Sequence, residues 1–204
     1  MKGRFCRLCT GYCLIALVFV LPMSGICTAA EFAADTITNH AGGTFTGKTY
    51  IKGDKIRSEG VKEGRNTISI HRMDKGITWI LMPENKTYME MSGVTGWNME
   101  EMEKAAQEMA EKKNLGTETV NGYLCDKFQY VYKDKSLGVV TQWIARDLKY
   151  PIKTEHTGMQ GYSMKSELTN IKTQSLPDSL FELPAGYTKM NIPGRSMHRN
   201  APRQ

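Results

Sequence analysis

Ile77-Thr78-Trp79-Ile80-Leu81-Met82-Pro83-Glu84-Asn85-Lys86-Thr87-Tyr88-Met89-Glu90-Met91 is the stretch whose reading decides the fold. Two runs rich in β-branched, aromatic and sulfur-bearing side chains flank a Pro-Glu-Asn break, the pattern of two short strands joined by a turn. Side chains alternate across a strand, so Trp79 and Leu81 share one face while Ile80 and Met82 share the other. A strand apolar on both faces must be covered twice or must line an apolar cavity.

Working outward, the same grammar repeats. From Gly43 onward, β-prone runs at 44–52, 55–61, 66–73, 77–82 and 86–91 are punctuated by Gly53-Asp54, Gly64, Asp74-Lys75-Gly76 and Pro83-Glu84-Asn85. Connections this short let neighbouring strands pair as hairpins, which predicts an antiparallel meander. A second series follows at 117–120, 123–133, 139–145, 152–156 and 162–173. It opens on Asn121-Gly122, a pair suited to a type I′ turn because both central residues need positive φ. Phe128, Tyr130 and Tyr132 share one face of their strand, and Val139, Trp143 and Ala145 share one face of theirs, so both strands read as half buried.

Between the two series the period changes. Asn98 followed by Glu101 has the form of a capping box, acids at Glu100, Glu101 and Glu103 precede Lys112-Lys113, and Gly116 stands near the stop. Met99, Met102, Ala106 and Met109 recur on one face, which predicts an amphipathic helix over about 98–114. The expected fold is α+β: a strongly curved antiparallel sheet, an incomplete barrel, with this one main helix across its concave face.

The formal net charge of +6 belongs to the ends of the chain. Lys2, Arg4 and Arg7 face no acid within residues 1–30, and Lys189, Arg195, Arg199 and Arg203 face none after 188. The stretch between is nearly neutral, which argues against a nucleic-acid-binding domain. Residues 1–30 have the basic start, apolar run and small residues (Thr28-Ala29-Ala30) of a secretory signal, with cleavage expected after Ala30. Its apolar run is short for a membrane anchor. Ser24-Gly25-Ile26-Cys27 resembles a lipobox, with Ile26 where a small residue is usual, so lipid attachment at Cys27 is the less favoured course. Four of the five cysteines fall within the signal and only Cys125 remains beyond it, which reads as a small buried residue on a strand. The expected layout is a signal at 1–30, one β-rich domain at 31–190 and a disordered basic tail at 191–204, where arginines could touch anionic membrane.

The chain carries no Gly-x-Ser-x-Gly, phosphate-binding loop, dinucleotide fingerprint or His-Glu-x-x-His. Its four histidines are scattered, so neither a catalytic residue, a metal site nor a cofactor is expected. Methionine is the compositional excess, concentrated between Met73 and Met109. Flexible thioethers serve core packing, an apolar ligand surface or, as a lesser alternative, Cu(I).

The hairpin at 77–91, together with Tyr50-Ile51-Lys52-Gly53-Asp54-Lys55-Ile56-Arg57 and Leu180-Phe181-Glu182-Leu183-Pro184-Ala185-Gly186-Tyr187, resembles an exported bacterial family known only as a domain of unknown function. The order of elements is similar to the wider LolA/LolB group of envelope lipoprotein carriers. That resemblance implies a curved sheet with helices closing its apolar side, although the sequence does not place the carriers' buried basic residue and shows one long helix where the carriers have more. The resulting expectation is a non-enzymatic periplasmic or secreted carrier for an apolar ligand such as a lipid or lipoprotein acyl chain, with cavity-lining candidates Trp79, Leu81, Met82, Met99, Met102, Met109, Phe128, Tyr130 and Trp143. The alternative is an envelope module that reads a protein partner and holds no ligand.

Overall fold

Turn chemistry sets the register of the sheet. In the computed structural model, which describes residues 30–62, 64–92, 104, 108–158 and 161–190, Asn121 and Gly122 both adopt positive φ, 49° and 85°, as a type I′ hairpin requires. Twelve strands follow in chain order: β1 (Glu31–His40), β2 (Gly43–Lys52), β3 (Lys55–Lys62), β4 (Arg65–Arg72), β5 (Ile77–Met82), β6 (Thr87–Ser92), β7 (Ala110–Val120), β8 (Tyr123–Tyr132), β9 (Val139–Ala145), β10 (Tyr150–Thr157), β11 (Ser163–Thr173) and β12 (Thr188–Lys189). They form one sheet in the order β12-β6-β5-β4-β3-β2-β1-β11-β10-β9-β8-β7. Two meanders therefore meet where β1 pairs with β11. The strand that joins them, β1, precedes the first expected strand. All pairings are antiparallel except the short parallel contact of β12 with β6.

The expected helix needs correction. Helical backbone is found at residues 104, 108 and 109, and from Ala110 the chain is strand β7, paired with β8 from Ala110↔Tyr132 onward. Ala110, Glu111, Lys112 and Lys113 are good helix formers, but ladder hydrogen bonds and cross-strand contacts override that preference. Lys112 places its ammonium 4.1 Å from the centre of the Phe128 ring. No α-helix is an element of the described residues. The remainder of 98–109, with Met99 and Met102, lies outside them, as do residues 1–29 of the expected signal and the tail from 191.

The sheet is curved. Bulges interrupt β11 between Thr169 and Lys172, opposite Ala33 to Asp35 of β1, β10 between Pro151 and Lys153, and β7 between Asn114 and Thr117, and each adds local bend and twist. The inward side chains of five successive strands, β3-β2-β1-β11-β10, surround one cavity. Beneath it a core of Phe32, Ala34, Ile51, Cys125, Ala145, Leu148, Ile152 and Leu168, joined by Val120 and Trp143, fills one end of the curl. A second core lies on the outer face, where Ile70, Trp79 and Leu81 pack against Leu176 and Phe181.

Candidate functional site: a hydroxyl-walled cavity on the concave face

Register assigns each side chain to a face. Thr49 stands opposite Ser58, and Ser58 opposite Ser69, which faces Ile80 and then Met89. Thr36, Thr38, Ser166 and Thr154 belong to the same inward face on β1, β11 and β10. The cavity they enclose has a volume of about 320 Å³, at the small end of ligand pockets. Its walls are the hydroxyls of Thr36, Thr38, Thr49, Ser58, Thr154 and Ser166. Ile56, Tyr150, Pro151, Ile152 and Leu168 supply apolar surface that merges with the end core.

The hydroxyls are linked to one another. Thr36 Oγ1 and Thr49 Oγ1 are 2.5 Å apart, Thr49 Oγ1 and Ser58 Oγ 3.5 Å, and Thr38 Oγ1 and Ser166 Oγ 3.0 Å. Phe45 forms part of the rim, and its ring rests on Gly60, where a Cβ would fall 2.1 Å from Phe45 Cζ. A side chain at 60 would displace the ring, so glycine there is what lets an aromatic lie flat on the sheet. Farther along the concave face, Ile80, Met82 and Met89 are half-buried and Met91 is exposed.

Over β2 to β5 the outer face is covered by the chain itself, and beside that cover Asp35, Lys48 and Lys172 line an open pocket of about 510 Å³. After β11 the segment 174–187 crosses β1 to β5 as a strap, with Leu176 and Phe181 buried beneath it. Each strand it crosses from β1 to β4 contributes a charged fastener. The Leu176 amide donates to Glu31 Oε1 at 2.6 Å, and Lys52 Nζ donates to the Leu176 carbonyl at 2.7 Å. Lys55 Nζ reaches Asp178 Oδ1 at 2.9 Å, and Arg57 Nη1 donates to the Leu180 carbonyl at 2.9 Å. Arg72, 4% exposed, donates to the Phe181 carbonyl, pairs with Glu182 and holds Asp74 through two nitrogens at 2.8 and 2.6 Å. The strap ends by pairing Thr188 and Lys189 with β6.

These contacts set the acid-base state of the strap. The Leu176 amide holds Glu31 below the usual glutamate range, and hydrogen bonds from Arg72 and Lys55 do the same for Asp74 and Asp178. For Glu182 partial burial works upward, yet the Arg72 and Lys75 contacts prevail and its pKa is lowered.

Cys125 is fully buried and burial pushes its thiol up, which disfavours the thiolate form. His71, hydrogen-bonded to Thr78 Oγ1 at 3.1 Å, is pushed down by burial. Among the described residues no group of three or more His, Cys, Asp or Glu side chains is arranged to hold a metal ion.

Sequence comparison adds the family: a domain of unknown function, DUF4412, matches residues 35–150 and 149–187, taking in the strands from within β1 to β11 and the whole strap. The chain belongs to the DUF4412 family. No curated protein matches it in sequence. Among solved structures, an uncharacterized conserved protein from Thermus thermophilus superposes with a TM-score of 0.57 at 10% identity, over 79% of this chain and 90% of that one. The Pseudomonas aeruginosa MucA/MucB complex contains a chain that superposes at 0.52 and 13% identity, over 74% of this chain and 54% of that one. A LolA superfamily protein from Nitrosomonas europaea matches at a TM-score of 0.36 and 12% identity, over 76% and 90%. At these identities the first two likenesses establish a shared curved-sheet fold, and this DUF4412 chain spans about half of the MucB-containing match.

Within the DUF4412 sheet, the residues expected to line a cavity separate by face. Trp79 and Leu81 point outward under the strap, and Trp79 Nε1 donates to Glu90 Oε2 at 3.0 Å. Trp143 stands opposite Lys127 on β8 and lies between the ammonium groups of Lys127 and Lys153, at 4.7 and 4.0 Å from the ring centre, while its indole N–H donates to Glu118 Oε2 at 2.8 Å. Phe128 and Tyr130 pair with Gln142 and Val140, on the inward face shared with Met82. Met109 is 54% exposed, and Met99 and Met102 fall outside the described residues.

Sequence pattern does not reveal the cavity's six Thr and Ser hydroxyls, because Thr and Ser on a strand look like ordinary solvent-facing alternation. Two of them, Thr36 and Thr38, lie on β1, which the pattern of β-prone runs does not mark. The available signal was Thr36-x-Thr38 following the small and apolar Phe32-x-Ala34 at the same parity.

Proposed function

We propose that this DUF4412 protein is a non-enzymatic binding protein of the cell envelope that holds a largely apolar ligand on the concave face of its sheet. The observation that carries this reading is the contrast in covering. The strap covers the outer face over β2 to β5 and leaves beside it a charge-lined pocket at Asp35, Lys48 and Lys172, whereas the inner face keeps an uncharged 320 Å³ cavity and continues into the side chains of Ile80, Met82, Met89 and Met91. Of the residues singled out in the sequence, Met82, Phe128 and Tyr130 share the inward face and are the ones we assign to a ligand surface. The signal-like residues 1–30 support delivery to the envelope, and mature N-terminal sequencing should begin at Glu31. Binding of a neutral fluorescent probe such as N-phenylnaphthylamine tests the site. Thr38→Trp, which fills the cavity, should abolish binding, while a bulky substitution at exposed Ser175 on the strap should not. Equal binding by both variants would place the ligand elsewhere.

A second reading, an envelope module that docks a protein partner, draws on the MucB likeness, since that protein was solved together with MucA. Failure of every amphiphile to bind, with recovery of one defined envelope protein after crosslinking in cells, would favour it.

A further inference from the structure

We infer that the cavity selects an uncharged head group that brings its own hydrogen-bond donors, a polyol or glycosyl-like group, and rejects carboxylate and phosphate heads; this inference rests on the binding function proposed above. Three observations point the same way. No Asp, Glu, Lys, Arg or His side chain is among the twelve that line the cavity. An ionic head entering it would give up hydration with no opposite charge to replace it, whereas a neutral polar head needs only hydrogen bonds.

The second observation is the donor balance of the five linked wall hydroxyls, Thr36, Thr38, Thr49, Ser58 and Ser166. A hydroxyl has one O–H to give and two lone pairs to accept. In each of the pairs Thr36–Thr49 and Thr38–Ser166 one of the two O–H groups is engaged by the neighbouring hydroxyl, and Ser58 stands at the longer distance of 3.5 Å from Thr49. Lone pairs therefore outnumber the remaining donors, and an acceptor-rich wall favours a ligand carrying O–H or N–H groups over an acceptor-only anion.

The third observation is the arrangement of surfaces. Hydroxyls from β3, β2, β1, β11 and β10 surround the head position, and Ile56, Ile152 and Leu168 lie against the same space. A cavity of 320 Å³ takes a head group with a short apolar portion, and the longer remainder of an amphiphile would run along the inward face toward Ile80 and Met82. The outer face, by contrast, concentrates the cations Lys52, Lys55, Arg57 and Arg72 and commits them to the strap.

The test compares two probes of equal chain length, 1-monolauroylglycerol and laurate, by displacement of N-phenylnaphthylamine from the mature protein at pH 8. Monolauroylglycerol should bind about tenfold more tightly than laurate, the scale expected when a polar site discriminates between matched and mismatched head groups. The double variant Thr154→Val, Ser166→Ala should bring the two affinities together by weakening only the glyceride, with an unchanged melting temperature reporting an intact fold. Equal affinities for the two probes in the wild-type protein, or a preference for laurate, would overturn the head-group inference while leaving an apolar-ligand function in place. Failure of both probes and of N-phenylnaphthylamine itself to bind would overturn the proposed function and this inference with it. The wild-type comparison decides the matter even if the double variant does not fold.

Discussion

The two faces of one strand, β5, show how differently this sheet treats its sides. Outward, Trp79 and Leu81 are closed over by residues the same chain supplies, with Phe181 fully buried between them and an ionic fastener on each of β1 to β4. Inward, Ile80 and Met82 remain half-buried, and the neighbouring cavity is walled by hydroxyls without a charge. An apolar strand of this kind must be covered or must line a cavity, and here each face takes one of those courses. Charge is used where a segment has to be held in one place, and neutral polar groups where a guest would have to enter and leave.

The largest effect should come from the sealed side. Phe181→Ala removes the plug of the outer core and should lower unfolding free energy by about 3–5 kcal/mol, measured by urea denaturation. A cost under about 1 kcal/mol would mean that the strap lies on the sheet without stabilising it. Next comes Arg72→Ala, which releases Asp74, Glu182 and the Phe181 carbonyl together. Loss of a buried partner costs about 3–5 kcal/mol, and the outcome should fall near the low end because both carboxylates can turn to water.

Acid should separate the faces without mutation. Glu31, Asp74, Asp178 and Glu182 all have pKa values below the ordinary 3.8 of aspartate and 4.5 of glutamate. A carboxylate depressed in the folded state contributes stability that is fully present above the ordinary value and is lost as pH falls through the folded one. The strap should therefore loosen below about pH 4, seen as a change in Trp79 fluorescence in a Trp97→Phe, Trp143→Phe background, while neutral-probe binding varies little between pH 8 and 5 because no charged side chain lines the cavity. Thr154→Val should have the smallest effect on stability, within about 0.5 kcal/mol by thermal melting.

Much of the sheet was legible because its turns carry strong local chemistry. The runs at 77–82 and 139–145 coincide with β5 and β9, and Asn121-Gly122 makes the hairpin its composition demands. The first strand was not legible, since Glu31 to His40 alternates weakly and its role, joining two meanders through β11, depends on pairings with residues more than a hundred positions away. The same holds for the strap: Leu180-Phe181-Glu182-Leu183-Pro184 reads as an ending, and only the fold shows Phe181 filling the outer core and Arg57 and Arg72 holding its carbonyls. At Ala110–Lys113 helix propensity and sheet pairing compete, and pairing with β8 prevails. For the site, alternation correctly separates the two sides of β5 but does not say which side is sealed, so Trp79 and Met82 fall in one candidate surface although they face opposite ways.

The central claim, that the concave face is kept for an apolar guest, is tested most directly by native mass spectrometry of the protein purified from cells that export it, followed by organic extraction and lipid analysis. A bound species of lipid mass is expected in the wild-type protein, lost in Thr38→Trp, whose extracted head group is uncharged. A mass equal to that of the bare mature chain in the wild type, with no lipid in the extract, would contradict it.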